Sequence, residues 1–596
     1  MKGSRIVAVG VLLTALIVAL AFAGVAAAKK PRAADTVFKN AYVYTANPGA
    51  RVAHAVAVRG GKIRYVGSSR GARAFIGKKT EVVDLKGKML MPSFSDAHAH
   101  PSAAVSFLYA ANLYGLDGTA AYKTALAEFI AENPTLDAYQ GNGWSEAAYP
   151  GIGPLKADLA DLTAKPMALW SDGHHSLWVN QAALDLAGID NTTADPIGGV
   201  IERVPGSVAT DPPYGTPSGC LRESATDMMM AVFPDFTVEQ YKEGILFYQQ
   251  AIANPVGITL SQDAVQFPGS NSVKAFEELA QAGALTVRIR GSLQVMPNQG
   301  DVAPQVDAIV AEKALHKTTY YQTNAAKFFA DGVIEGHTGY LLEPYADALA
   351  FKGDADYRGV PIWQPTDFNA AVMKADKAGV QIHVHAIGDA AVSESLDAIA
   401  YAEAVNGHRN HRPMITHLQL TDENDFARFK NLGVTALPQP YWFLMDDYYH
   451  NLQVPFLGQE RADLEYPMKS FFDKGVHVAS GSDFPVTPDP NALAGMQIGV
   501  MRWYPESSMG GTIPVGDILW PAQRVTIKQM IRSFTIEGAY ANFLEKTTGT
   551  IKVGKSADMV VLARNIIKCE ADEIGVGNKV LLTMFRGKTV YEDAEF

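Results

Sequence analysis

Cysteine is nearly absent: the 596 residues contain only Cys220 and Cys569. Two thiols are too few for a thiolate metal cluster, and their spacing in sequence leaves a disulfide between them open. Basic charge is also scarce. The net charge is −11, so a nucleic-acid partner has no basic footprint to bind, and the acidic surface argues for solubility. No glycine-rich phosphate loop stands between a strand and a helix. The one GxSxG match, "GSSRG" from Gly67 to Gly71, lies among short β-like segments, where a turn is the simpler reading than a nucleophile elbow. Beyond the first 28 residues no apolar run approaches ~20 residues. With 48% apolar and 19% charged residues, the composition is that of an ordinary folded protein, long enough for about two or three structural units.

The N-terminus has the layout of an export signal. Lys2 and Arg5 precede an apolar run from Ile6 to Ala28, and "VAAA" offers small residues for cleavage. Residues 1–28 are therefore expected to be a signal peptide, and the mature protein to be exported, periplasmic or secreted. The same run is long enough to span a bilayer, so an uncleaved membrane anchor is the alternative.

Residues 29–92 carry short β-like segments broken by Gly and Asn, and residues 535–596 have the same texture. Two β-rich ends around a different middle suggest a small β-sandwich built from both termini. Between them, residues 93–534 alternate helix-like stretches such as "PTDFNAAVMKADKAG" with apolar strands such as "VQIHVHAIGD". That alternation predicts an α/β fold with a parallel sheet, and the number of units favours a closed (β/α)8 TIM barrel. Residues ~105–250 fit the alternation poorly and read as an insertion after the first barrel strand.

In "SFSDAHAHP" two histidines, His98 and His100, stand two apart and so face the same way at a strand end. Alone the pair is weak. Further strands add Lys327 in "AAKFFADG", His385 in "HVHAIGD", His417 in "MITHLQ" and Asp483 in "ASGSDFP". A lone lysine in an apolar strand needs a reason: a snorkelling or salt-bridged ammonium is one, and a carbamate bridging two metals is the other. Nitrogen and carboxylate ligands at strand ends suit zinc with a position open for water.

These segments, with "DPIGGVIER", "SGCLRE", "KFFADGVIEGHTG" and the closing "GTIKVGKSADMVVL" in order, resemble the amidohydrolase superfamily, in particular the family 3 branch that includes N-substituted formamide deformylases. The resemblance implies metal ligation by His98, His100, Lys327 as carbamate, His385, His417 and Asp483, with two Zn2+ ions (or Mn2+ or Fe2+) bridged by the carboxylated Lys327. It implies hydrolysis of a non-peptide amide-type C–N bond by a metal-activated hydroxide, Asp483 acting as general base. Two departures stand out: Thr416 precedes His417 where the family often has Glu, and "GHHS" doubles a single histidine. His175 is the better match to that histidine and is expected to reach the substrate carbonyl; His174 is the extra.

Trp144, His337, Tyr441 and Trp442 are candidate substrate contacts, and "PQPYWF" suggests a pocket for an apolar or aryl group of an N-acyl or N-formyl substrate. His383 reads as core or as a hydrogen-bond partner of a ligand, and Asp331 and Asp389 as caps or catalytic groups. The expected partner is a small molecule; a homodimer is common in the superfamily. An esterase or lactonase on the same metals, and a non-catalytic exported binding or regulatory protein, are the alternatives.

Overall fold

The computed structural model describes residues 31–47, 49, 52–209, 212–297, 300–505 and 516–596. The expected signal segment, 1–28, lies outside them.

Eight parallel strands lie side by side in sequence order: β1 (Phe94–Ala99), β2 (Ile258–Gln266), β3 (Arg288–Gln294), β4 (Tyr321–Phe329), β5 (Gln381–Ala386), β6 (Met414–His417), β7 (Thr435–Leu437) and β8 (His477–Val478). Strands covered on both faces read as unbroken buried runs, and β1, β5 and β6 are buried along their whole length. Helices separate them: Asn271–Gln281, Val302–Leu315, Pro365–Lys377, Asp389–Asn406, Asp425–Asn431 and Met468–Asp473. The first of these starts at Ser270, whose hydroxyl accepts the Val273 N–H, and buries Val273, Phe276, Leu279 and Ala280.

The sheet curls until its ends meet, as in a TIM-like barrel. The Ala97 N–H donates to Ser480 O (3.0 Å), the Asp483 N–H to His98 O (2.8 Å) and the His100 N–H to Phe484 O (2.7 Å). Gly481 permits this approach: a Cβ there would stand 2.8 Å from the His98 Cβ, N and O. The small residues before Asp483 thus let the last strand reach the first.

Strands from both chain ends share one sheet. Met89–Pro92 runs antiparallel to Met559–Leu562 in a five-stranded sheet, and a four-stranded sheet holds Thr36–Lys39, Ala55–Arg59, Lys62–Gly67 and Glu81–Asp84. Phe38, Val56 and Ile63 from the second join Leu90, Val561 and Leu582 from the first in one apolar cluster.

The segment between β1 and β2, unread as regular structure in the sequence, folds into its own mixed six-stranded sheet of Ala111–Asn112, Tyr139–Trp144, Met167–Ser171, Ser176–Val179, Gly199–Arg203 and Pro217–Glu223. Its strands alternate: Ala168, Leu177 and Val179 pack on one face, and Met167, Leu169 and Trp178 on the other.

Arg288, at the start of β3, is buried beside Asp558 (2.7 Å) and lies over the Phe585 ring. This pair joins the barrel to the terminal sheet. Removing one partner strands a buried charge, which costs about 3–5 kcal/mol. The variant Asp558→Ala is expected to unfold at a clearly lower urea concentration than wild type; an unchanged midpoint would mean that the pair does not hold the two parts together.

Candidate metal centre

His98 is the penultimate residue of β1 and His100 follows the strand; Asp483 comes from the loop after β8. Their ligand atoms converge. Asp483 Oδ1 lies 3.2 Å from His98 Nε2 and 3.0 Å from His100 Nε2, and the three form a group whose donor atoms lie within 4.8 Å of one another. Ligands held at ~2.0–2.2 Å from a tetrahedral ion stand only a little further apart, so the set fits a divalent cation. Asp483 (φ 60) and His417 (φ 74) sit in the left-handed backbone region, which non-glycine residues adopt only where the surroundings enforce it.

The imidazoles of His98, His417 and His385 are each aimed by a partner on the other nitrogen. His98 Nδ1 is 2.8 Å from His383 Nε2, and His383 Nδ1 is 2.8 Å from Ser292 Oγ. The proton order that leaves the His98 Nε2 lone pair facing Asp483 has His98 Nδ1–H donating to His383 and His383 Nδ1–H donating to Ser292. His417 Nδ1 donates to Gln439 Oε1 (3.1 Å), and the Gln439 amide is fixed by donating to Thr416 Oγ1 and Leu437 O. Thr416, the departure noted above, thus anchors the amide that orients His417. His385 Nε2 donates to Gly332 O (3.0 Å), which leaves its Nδ1 for a ligand role. The His385 and His417 rings lie 4.4 Å apart and those of His98 and His417 5.0 Å apart.

Burial sets the charge states. It lowers His98 to a pKa of about 3 and His383, His385 and His417 well below the usual value. They are therefore neutral, the form that binds metals. Asp483 is buried too, which alone would raise it, but the hydrogen bond from His100 and the neighbouring imidazoles hold it well below the usual carboxylate range. Burial brings Lys327 down to about 7, so much of it is free amine near neutrality. Its Nζ lies 4.7 Å from the centre of the Phe329 ring.

The inserted sheet supplies the opposite wall. Lys327, His385, His417, His174 and His175 all line a cavity of about 530 Å3 with His98, His100 and Asp483. His175 Nδ1 is 2.7 Å from Glu223 Oε2; burial opposes its protonation, but Glu223 outweighs burial and raises its pKa. Burial drives the neighbouring His174 to about 3, and His174 Nε2 is 2.9 Å from the Tyr114 hydroxyl. Met230, Phe233, Phe236, Phe267, Met296 and Trp363 line an apolar part of the cavity, and polar groups, Asp227, Asp235 and Gln294 among them, line it as well.

The four residues expected to touch substrate lie outside the cavity lining. Trp144 is fully buried within the inserted sheet's core, its indole N–H donating to Leu169 O. The buried Tyr441 hydroxyl donates to Pro490 O. His337 is held by Asp347 between Phe351 and Phe456. None of the three lines the cavity. Trp442 does not line it either; it stacks on the His417 ring at 5.6 Å. Asp331 caps, accepting the N–H groups of Ile387, Gly388 and Tyr340. His316, outside the cavity lining, is buried beside Glu312 and Glu277. Sequence reasoning missed Glu223 and Gln439, and weighed His383 towards core. The only hint of Glu223 was an acid closing the apolar run "SGCLRE".

Comparison with known proteins adds three findings. A model described as "Amidohydrolase family" matches residues 81–591. The putative amidohydrolase YtcJ of Bacillus subtilis is 28% identical, covering 93% of this chain and 99% of its own, and N-substituted formamide deformylase of Arthrobacter pascens is 24% identical over 94% and 98%. The fold superposes on an uncharacterized metal-dependent hydrolase from Pyrococcus furiosus with a TM-score of 0.65 at 21% identity, covering 89% of this chain and 100% of that one.

The His383 bridge yields a direct expectation. Removing a partner of this kind costs about 10–100-fold in metal affinity. His383→Ala is expected to weaken zinc binding by that factor in a competitive chelator titration, whereas unchanged affinity would show that His98 needs no support.

Proposed function

The chain belongs to the amidohydrolase family, and from that premise we propose that it is an exported metal-dependent hydrolase of an amide-type, non-peptide C–N bond. The convergence of His98 Nε2, His100 Nε2 and Asp483 Oδ1 carries the reading. His98, His100, His385, His417 and Asp483 would hold two Zn2+ ions, or Mn2+ or Fe2+, with Lys327 bridging them as a carbamate. The buried free amine of Lys327 supports that modification: its nitrogen adds to CO2, and one proton leaves as the carbamate forms. The two terminal sheets are read as a small β-sandwich beside the barrel.

A zinc ion of this kind lowers the pKa of a bound water from 15.7 to about 7 and polarises a carbonyl. The chain's own groups do the rest. Asp483, ionised although buried, accepts the proton of the attacking water and returns it to the departing amine nitrogen. His175, held by Glu223, donates from Nε2 to the substrate carbonyl oxygen, which becomes negative as the carbonyl is attacked. The apolar wall of Met230, Phe233, Phe236 and Trp363 receives an alkyl or aryl arm and excludes water. An N-acyl or N-formyl amine with an apolar substituent fits this division of labour.

The test is a hydrolysis panel of N-formyl and N-acyl aryl amines with matched esters, run with metal quantification. Zinc-loaded protein is expected to release amine, to stop on chelation and to recover when zinc is returned. A general base contributes about 10^2–10^4-fold, so Asp483→Asn is expected to lose that much kcat while the other ligands keep most of the metal. A variant within threefold of wild type would remove Asp483 from the reaction. Faster turnover of the matched esters would replace the bond class.

A further inference from the structure

Glu223 stands where the inserted sheet meets the barrel, and its contacts run in both directions. Oε2 is 2.7 Å from His175 Nδ1, and Oε1 accepts the Thr338 hydroxyl at 2.7 Å. Its backbone N–H donates to His175 O (3.0 Å), so the two residues are tied through main chain and side chain. Thr338 belongs to the loop after β4, and its hydroxyl oxygen accepts the Val333 N–H (2.9 Å). Glu223 holds φ 50 and ψ −130, an unusual conformation for a residue with a side chain.

Gly332 makes room for that carboxylate. A Cβ at this position would lie 2.1 Å from Glu223 Oε1, 2.4 Å from Glu223 Cδ and 2.2 Å from Thr338 Oγ1. The carbonyl of the same glycine accepts His385 Nε2–H. One bare backbone position thus aims a histidine of the barrel with its oxygen and admits the acid that aims a histidine of the insertion. The two rings it governs lie 4.8 Å apart.

We propose that Glu223, seated on Gly332 and Thr338, is a positioning residue that fixes the His175 ring with Nε2 towards the cavity, so that the insertion completes the site carried by the barrel. The proposal rests on the role given to His175 above. An imidazole bonded at Nδ1 cannot flip without losing that bond, and the second carboxylate oxygen, held by Thr338, keeps the carboxylate itself from turning. Preorganised donors of this kind stabilise developing charge because they need no reorientation during the reaction.

The experiment compares zinc-loaded wild type with Glu223→Leu, Glu223→Gln, His175→Ala and the double variant His175→Ala/Glu223→Leu, using formanilide and its N-acyl homologues. Leucine keeps volume and removes the acceptor; glutamine keeps an acceptor. Glu223→Leu is expected to lower kcat about 10–100-fold with KM within threefold; Glu223→Gln, which keeps an acceptor but not the charge, is expected to hold the ring and to recover kcat only in part. In the His175→Ala background Glu223→Leu is expected to change nothing further. Crystal structures of both Glu223 variants supply a readout apart from turnover: the His175 ring is expected to turn or split in the leucine variant and to stay in the glutamine one. Thr338→Val, which removes the donor to Oε1 together with the acceptor of the Val333 N–H and leaves Glu223 itself in place, guards against a leucine variant that fails to fold and is expected to loosen the same ring. The proposal is overturned if the ring keeps its place in both Glu223→Leu and Thr338→Val, if the ring turns in Glu223→Gln, or if the leucine change costs as much with His175 absent. Full activity of His175→Ala would instead overturn the role of His175, leaving ring orientation to decide the positioning claim.

Discussion

The buried imidazoles of His98, His385 and His417 are neutral, and a neutral imidazole has one nitrogen that donates and one that accepts. The arrangement at the barrel rim depends on this constraint. His98, His385 and His417 each spend one nitrogen on a fixed protein partner: His383, the Gly332 carbonyl and the Gln439 amide, respectively. The other nitrogen is left for the centre of the rim, where Asp483 supplies negative charge. Without those partners the rings could flip, and lone pairs buried among lone pairs would have no reason to stay together. The positive φ of His417 and Asp483 fits the same account, because their backbones adopt a costly conformation that places the side chains at the rim.

The barrel alone makes only part of the cavity. Its strands bring up the nitrogen donors, Lys327 and Asp483, while the six-stranded inserted sheet brings His174, His175 and Glu223 to the opposite side. In TIM-like barrels the strand ends carry the chemistry and the connecting segments vary. Here the longest connection, between β1 and β2, has become folded structure with its own apolar packing on both faces. That packing gives His175 a rigid base instead of a mobile loop.

Much of the barrel was legible because its signals are local. Two histidines two residues apart, a lysine in "AAKFF" and an aspartate behind "ASGS" mark strand ends by periodicity and composition alone, and the repeated helix–strand alternation sets the sheet. The insertion was not legible as a sheet: its strands are short, interrupted by glycine, and stabilised by each other rather than by any run of β-formers. The partners of the ligands were hidden for another reason. His383 meets His98 across 285 positions of sequence, and Glu223 meets Thr338 across 115; no local pattern distinguishes such residues from core or surface. Local pattern does not tell cavity-lining aromatic residues from core ones either. Trp144 and Tyr441 spend polar atoms on backbone carbonyls within the core, whereas apolar residues that line the cavity, Phe233 and Phe236 among them, lie in the segment with the weakest sequence signal.

The central claim is that these side chains form one cation-binding rim. Anomalous diffraction at the zinc edge, recorded from crystals of zinc-loaded protein, tests it most directly. The account predicts peaks about 2.0–2.2 Å from His98 Nε2, His100 Nε2, His385 Nδ1, His417 Nε2 and an Asp483 oxygen. Zinc found only elsewhere on the molecule, with this rim empty, would contradict it.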